Sequence, residues 1–366
     1  MAIYHLILSA VLALSYLQSE LHTKVPNLNS TEWVAYKQQY EKSYPSEEVD
    51  SLRKLIFFAN KLKVEKFNQE HEDFKLGVNH LSDRTEEEIN NLNGFRGDSA
   101  VMRNSVEDEQ FLQSIFERDV EVPDELDWRK TPNRVSEVKD QGDCGSCCAF
   151  SAIGALEGQE IPIHKSKLDP LSVQNLVDCA ERERKNNTNG CKGGLPKDAY
   201  DYVKRFGLET EQDYPYEGVF KDCRFKKSKS FLQDDGGVYL PSGDEEKLKE
   251  AVAKYGPISV GIQADIFFAW YDGGVFYDKE CQSDLNKLNH GVLVVGYGHG
   301  NKTGKDYWLV KNSWGTDWGE AGYVRMIRNK DNNCGIATAP SIPNFEQGQI
   351  NSALFHLDMK YLIKKE

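Results

Sequence analysis

The sequence predicts an α+β protein whose helices and strands are segregated into two halves, preceded by a separate helical segment. Three observations carry this. Residues 20 to about 120 are rich in Glu, Lys, Arg and Asn and hold no cysteine, whereas all eight cysteines fall between 144 and 334 in a Gly-rich stretch. Beyond that break, helical periodicity comes first, and short Val- and aromatic-rich runs bounded by Gly follow. The length, 366 residues, also exceeds the usual single-domain size.

Taken in order, Ile3 to Leu17 is almost wholly apolar and stops at Gln18-Ser19-Glu20. That suits a secretory signal core and is too short for a bilayer span, so residues 1–19 are expected to be a removed signal cut near Ser15 or Ser19. A short anchor or buried helix is the alternative reading. No later run approaches the length of a membrane span. In 20–121, Trp33, Tyr36 and Tyr40, then Leu52, Ile56, Phe57, Leu62 and Phe67, recur at helical spacing and predict two amphipathic helices. Gly94 to Val120, dominated by Gly, Asp, Ser and Glu, reads as an exposed linker suited to proteolytic nicking.

The body, 122–344, divides at about 230. Helices are predicted over Cys147–Gln159, Ser172–Ala180, Lys197–Phe206 and Asp244–Tyr255. Strands are predicted over Ile258–Ile262, Gly291–Tyr297, Tyr307–Lys311 and Gly322–Ile327. Residues 345–366 form an extension in which Ala353, Leu354, Leu357 and Tyr361 share one stripe before Lys364-Lys365, read as a weakly docked tail.

Composition narrows the function. A content of 39% hydrophobic and 28% charged residues belongs to a soluble globular chain, and a net charge of -13 argues against a nucleic-acid partner. Entry to the secretory route would place the cysteines where pairing is the default, and Asn29, Asn186 and Asn301 head glycosylation triplets. The cysteines lack the paired short spacing with histidines that a zinc site needs, so no metal or cofactor is expected.

The chemistry centres on Gln141-Gly-Asp-Cys-Gly-Ser-Cys-Cys-Ala-Phe-Ser151, which sets the thiol of Cys147 on the first turn of a predicted helix. Amide donors and the helix dipole there favour thiolate. A thiolate needs a partner that later protonates a leaving amine, and His290, opening the strand Leu288-Asn-His-Gly-Val-Leu-Val-Val-Gly-Tyr297, fits that role. Asn312 in Lys311-Asn-Ser-Trp-Gly315 can orient the imidazole without adding charge.

These three blocks, in this order, resemble the papain family of cysteine peptidases, and within it the cathepsin L-like branch. The His lies 290 − 147 = 143 residues beyond the thiol and the Asn 312 − 147 = 165. The resemblance runs from about Trp33 to about Pro343. It implies a two-domain fold with a helical left half and a β-barrel-like right half, and endopeptidase activity on peptides and proteins without a cofactor. Gln141 would supply the oxyanion-hole side chain and Trp314 would shield the His290–Asn312 bond. Gly193 and Gly194 would pair with substrate backbone, beside Asn289. Leu195, Pro196, Gly261, Leu288 and Ala339 would line an apolar pocket for a bulky residue two positions before the scissile bond. The resemblance also implies disulfides Cys144–Cys191, Cys179–Cys223 and Cys281–Cys334, a monomer in a lysosome or outside the cell, and cystatin-type inhibitors as partners.

It further implies that residues 20–121 are an inhibitory propeptide that runs backwards through the cleft and is cut near Glu121 or Val122, ahead of Pro123-Asp-Glu-Leu-Asp-Trp128. Arg53, Ile56, Phe57, Asn60, Val64 and Asn68, then Gly77-Val-Asn-His-Leu-Ser-Asp83, follow its pattern, with Val49 in place of Glu and Leu81 in place of Phe. The sharpest departure is Cys148, where the family has Trp. A cavity or repacking behind the helix is expected there, and a strained Cys147–Cys148 disulfide is the second reading. Two rivals remain: a thiol redox motif in Cys144-Gly-Ser-Cys147, and a catalytically inactive homologue acting as a binding protein.

Overall fold

The computed structural model describes residues 30–97, 103–164, 169–180, 190–300 and 304–345. The expected signal, the triplets at Asn29, Asn186 and Asn301, and the stripe from Ala353 to Tyr361 lie outside them. No described helix is long and apolar enough to cross a membrane.

The N-terminal segment folds around two helices, α1 (Ser30–Gln39) and α2 (Glu47–Glu70). Ser46 caps α2 by accepting from the Val49 N–H, with Glu47, Glu48 and Asp50 in its positive first turn. Trp33, Tyr36, Phe57 and Phe58 pack into an aromatic core where the helices cross. Arg53 on α2 forks onto Glu88 through two 2.6 Å bonds. Asp83 accepts from Tyr36 at 2.8 Å and from Tyr44 at 2.6 Å. Strand β1 (Phe74–Leu76) follows, then α3 (Glu86–Asn90), capped by a Thr85–Glu88 box.

The expected exposed linker over Gly94–Val120 is corrected by the structure. Phe95 is 2% exposed, and Val106–Phe116 forms a helix, α4, opened by a Ser105–Asp108 capping box. Its Phe111, Leu112 and Ile115 are buried against the body. Acidic residues dominate the outward face of α4, and the composition therefore reads as linker although Phe111, Leu112, Ile115 and Phe116 are apolar at helical spacing.

In the body, helix α5 (Cys147–His164) exceeds its predicted end and packs on the strand half through β6 and β4. Around it lie α6 (Val173–Cys179), capped by Ser172, and α7 (Pro196–Phe206), with Pro at its start. The strand half holds α8 (Glu245–Lys254), capped by Asp244, and the short α9 (Ile266–Ala269).

Its strands are β2 (Leu126–Asp127), β3 (Gly237–Tyr239), β4 (Ile258–Ile262), β5 (Tyr271–Phe276), β6 (His290–His299), β7 (Asp306–Lys311), β8 (Tyr323–Ile327) and β9 (Ser341–Pro343). The sheet order is β1-β5-β8-β7-β6-β4-β9-β3, with β2 joining β6. β5 and β8 run parallel and the other pairs antiparallel. The four predicted strands are present within a residue or two. β5 was not foreseen, because Gly273-Gly274 breaks its apolar pattern, and β3 and β9 are too short to show a period. β1 pairs with β5, so the N-terminal segment extends the body's own sheet.

Candidate active site

The first turn of α5 faces the start of β6, and the two predicted reactive residues meet where the helical and stranded halves touch. Cys147 and His290 are both fully buried beneath the N-terminal segment. The sulfur of Cys147 accepts the Gly291 N–H at 3.3 Å and the Gly94 N–H at 3.1 Å. Burial is the largest influence on this thiol and pushes its pKa up. The Cys148 thiol, the charge and ring of His290 and the Gly291 N–H outweigh it and hold the pKa well below the ordinary value. The Cys148 thiol is driven the other way, by burial first and then by its neighbour.

His290 Nε2 donates to Asn312 Oδ1 at 2.8 Å, leaving the buried Nδ1 without a hydrogen-bond partner. Asn312 Oδ1 also accepts the Ser313 N–H at 2.8 Å, which fixes the amide's direction. Trp314, 1% exposed, lies over the imidazole with ring centroids 4.6 Å apart and a 31° tilt. Water is thereby kept from the His290–Asn312 bond. Gln141 sits beside Cys144, its Oε1 held by the Ser313 hydroxyl at 2.7 Å. Its Nε2 donates to the carbonyls of Leu92 and Cys144, each at 2.8 Å. Ser313 and Gly291 were not singled out in the sequence. Gly291 acts on the sulfur through its N–H, and a backbone donor leaves no residue signature; Ser313 acts on Asn312 through its N–H and on Gln141 through its hydroxyl.

The chain's own residues 92–96 fill the groove. The Gly194 N–H donates to the Gly94 carbonyl at 2.9 Å, and the Arg96 N–H to the Gly194 carbonyl at 3.1 Å. On the other wall, the Phe95 N–H donates to the Asn289 carbonyl at 2.8 Å. Gly193, at φ 88°, lies so close to Gly94 that a Cβ there would sit 1.8 Å from its carbonyl oxygen. The Phe95 ring enters an apolar pocket with Leu195, Leu288 and Ala339, edged by Leu285, which the sequence reading missed. Gly261 leaves room for it, since a Cβ there would come within 2.6 Å of the ring. Pro196, buried at the start of α7, follows Leu195 of the pocket wall directly in the chain.

Behind Cys148 lies a cavity of about 30 Å³ bordered by Leu176, Val177, Leu195 and Ala199. That volume is enough to hold a water molecule. Disulfides join Cys144–Cys191, Cys179–Cys223 and Cys281–Cys334, leaving Cys147 and Cys148 free. Cys144–Cys191 pins the loop before α5 to the Gly193–Gly194 wall. Among the described residues no group of three His, Cys, Asp or Glu side chains gathers to hold a metal.

Comparison with known sequences matches residues 122–344 to the family described as Papain family cysteine protease. The chain belongs to the papain family of cysteine proteases. Residues 33–89 match a second family, the Cathepsin propeptide inhibitor domain (I29). A Cathepsin L-like peptidase of Aedes aegypti is 44% identical over 341 residues, covering 91% of this chain and 98% of that protein. Cathepsin L of Sarcophaga peregrina is 45% identical over 327 residues, covering 87% and 93%. Among solved structures, digestive procathepsin L 3 of Tenebrio molitor larval midgut superposes with a TM-score of 0.75 at 40% identity, covering 86% and 98%. This papain-family chain is thus a cysteine peptidase with an N-terminal inhibitory domain, and its α+β body with a helical propeptide is that of the procathepsins.

Proposed function

We propose that the protein is an endopeptidase zymogen of the secretory route, acting in a lysosome or outside the cell as a monomer open to cystatin-type inhibitors. In this reading Cys147, as a thiolate paired with the imidazolium of His290, attacks the scissile carbonyl. The carbonyl carbon gains the sulfur, and its oxygen takes the charge, held by Gln141 Nε2 and the Cys147 N–H. His290 then gives its proton to the leaving amine, and an acyl-enzyme remains. A water, deprotonated by the same imidazole, releases the acid. Asn312 keeps the ring turned toward the sulfur throughout.

The observation that carries this reading is the seating of residues 92–96. The Leu92 carbonyl occupies the Gln141 donor, and Phe95 fills the apolar pocket. Gly94, however, points an N–H and not a carbonyl carbon at the sulfur, so this segment blocks the groove without being cut. The pocket holds no charge, and the enzyme accordingly prefers Phe or Leu two positions before the scissile bond. Acidified enzyme is tested against a peptide library: cleavage inside long peptides, best with those residues and absent in Cys147→Ser, is expected. Full hydrolysis by Cys147→Ser, or best turnover with Arg at that position, overturns the nucleophile or the pocket respectively. Sequencing the new N-terminus checks the cut near Glu121 or Val122.

A further inference from the structure

Two thiols, not one, face the groove. The Gly94 N–H reaches the Cys147 sulfur at 3.1 Å, while the Cys148 sulfur stands 3.6 Å from the carbonyl oxygen of that same residue. Both sulfurs therefore converge on a single peptide residue of the inhibitory segment, and both are uncovered when it leaves. They are the free cysteines of a body whose other six, all paired, mark a disulfide-forming environment. We propose that Cys148 is a resolving thiol: in the activated enzyme a hydroperoxide oxidises Cys147, and Cys148 closes on it as a vicinal disulfide that shuts off the peptidase reversibly. The proposal rests on the reading of Cys147 as the nucleophile.

The electron count closes. The Cys147 thiolate attacks one peroxide oxygen; an S–O bond forms, the O–O bond breaks, and hydroxide leaves. The sulfur loses two electrons, and the peroxide gains them. The Cys148 sulfur then attacks the resulting sulfenic acid; an S–S bond forms, the S–O bond breaks, and the oxygen departs as water with the Cys148 proton. Without a second thiol, further peroxide takes the sulfenic acid on to the irreversible sulfinic acid.

The position tolerates the closure. Cys147 and Cys148 open α5, where N–H groups have no intrahelical partner, and the first turn is held by the Ala149 and Phe150 N–H groups on the Ser146 carbonyl at 2.9 and 3.2 Å. Gly291 lies against this turn with no side chain in the way: a Cβ there would stand 3.0 Å from the Cys148 sulfur. The cavity behind Cys148 leaves its side chain room to turn. Adjacent Cα atoms lie about 3.8 Å apart, shorter than disulfides prefer, so the bond is strained and yields to mild thiol.

The test treats acid-activated enzyme, the intact proenzyme, and activated Cys148→Ser with hydrogen peroxide, reading intact mass, the modified peptide and peptidase activity. Expected for the activated enzyme is the loss of two hydrogens mapped to the peptide holding Cys147 and Cys148, complete loss of activity, and full return of both with dithiothreitol. Cys148→Ser gains two oxygens and stays inactive, and the proenzyme, with Gly94 over both sulfurs, is unmodified. Wild-type enzyme that gains oxygens and stays inactive under dithiothreitol overturns the proposal, and this readout stands even if Cys148→Ser fails to fold. Absence of peptidase activity before peroxide defeats the functional reading instead, while the mass still decides the fate of the thiol pair.

Discussion

At the scale of single residues, the site depends on donors and clearances as much as on reactive groups. Asn312 Oδ1 is the acceptor for His290 Nε2 at 2.8 Å inside a buried pocket. Asn312→Ala leaves that N–H buried and unpaired, a cost of about 2 kcal/mol. kcat/KM on a peptide substrate is expected to fall ~30-fold, mainly in kcat, because ring orientation matters in the transition state and not in binding. Gly94 shows the opposite dependence, on an atom that must be absent. A Cβ there would lie 1.8 Å from the Gly145 carbonyl oxygen and 3.0 Å from the Gly193 Cα, both backbone. Gly94→Ala therefore lifts the inhibitory strand at a cost of about 2 kcal/mol. Uncut proenzyme carrying it should turn over a small substrate about 30 times faster than the wild-type proenzyme; an unchanged rate would mean that the strand's seat is not what inhibits.

At the scale of elements, α4, which precedes the matched body, is a second foothold of the N-terminal region, away from the groove. Its buried Ile115, Leu112 and Phe111 face α8, and Phe111 meets the edge of Tyr255 with centroids 5.9 Å apart. Lys254 Nζ caps the Phe116 carbonyl, and Asn104 exchanges two bonds with the Tyr239 backbone at 2.8 and 3.0 Å. Ile115→Asp would bury an unpaired carboxylate or undock the helix, at a cost on the order of 3 kcal/mol. Cleavage between 103 and 121 by an added protease should become about 100-fold faster, whereas Val106→Asp, at a position 70% exposed, should change nothing. This helix is also where the sequence was least legible. α2 announces itself by Ser46, its acidic first turn and a long apolar stripe, and β6 by an unbroken apolar run. In α4 the apolar positions are few and diluted by Glu and Asp, so local composition outweighed period. Cys147, His290 and Asn312 were legible because each chemistry demands a residue type. Leu92, Gly94 and Phe95 were not, since they act through backbone and through a pocket assembled from four distant segments.

For the whole molecule, two carboxyls of the propeptide and two of the body respond to acid in opposite senses. In the propeptide, burial pushes the Asp83 carboxyl up, but the Lys42 ammonium and the Tyr44 and Tyr36 hydroxyls outweigh it and leave the pKa depressed. Glu88 is likewise pushed up by burial and held down more strongly by Arg53 and the Thr85 cap. A depressed carboxyl gives stability that is complete above its unfolded value, about 3.9 for Asp and 4.3 for Glu, and that vanishes as pH falls through the lower folded value. In the body, burial drives Asp265, the cap of α9, up to about 6, and drives Asp234 well up. A raised carboxyl penalises the folded state above its folded pKa, and the penalty is relieved as pH falls through that value toward the unfolded one. Acidification from neutral to about pH 5 should therefore hold or raise the melting temperature of the mature body. Below about pH 4 the Asp83 and Glu88 contributions fade and the propeptide should release, seen as the onset of peptidase activity and a change in Trp33 fluorescence. Asp83→Asn removes the charge that Lys42 faces, and should move release toward neutral pH and flatten its pH dependence. A proenzyme equally inhibited at either end of this range, with Asp83→Asn indistinguishable from it, would place the acid response outside these carboxyls.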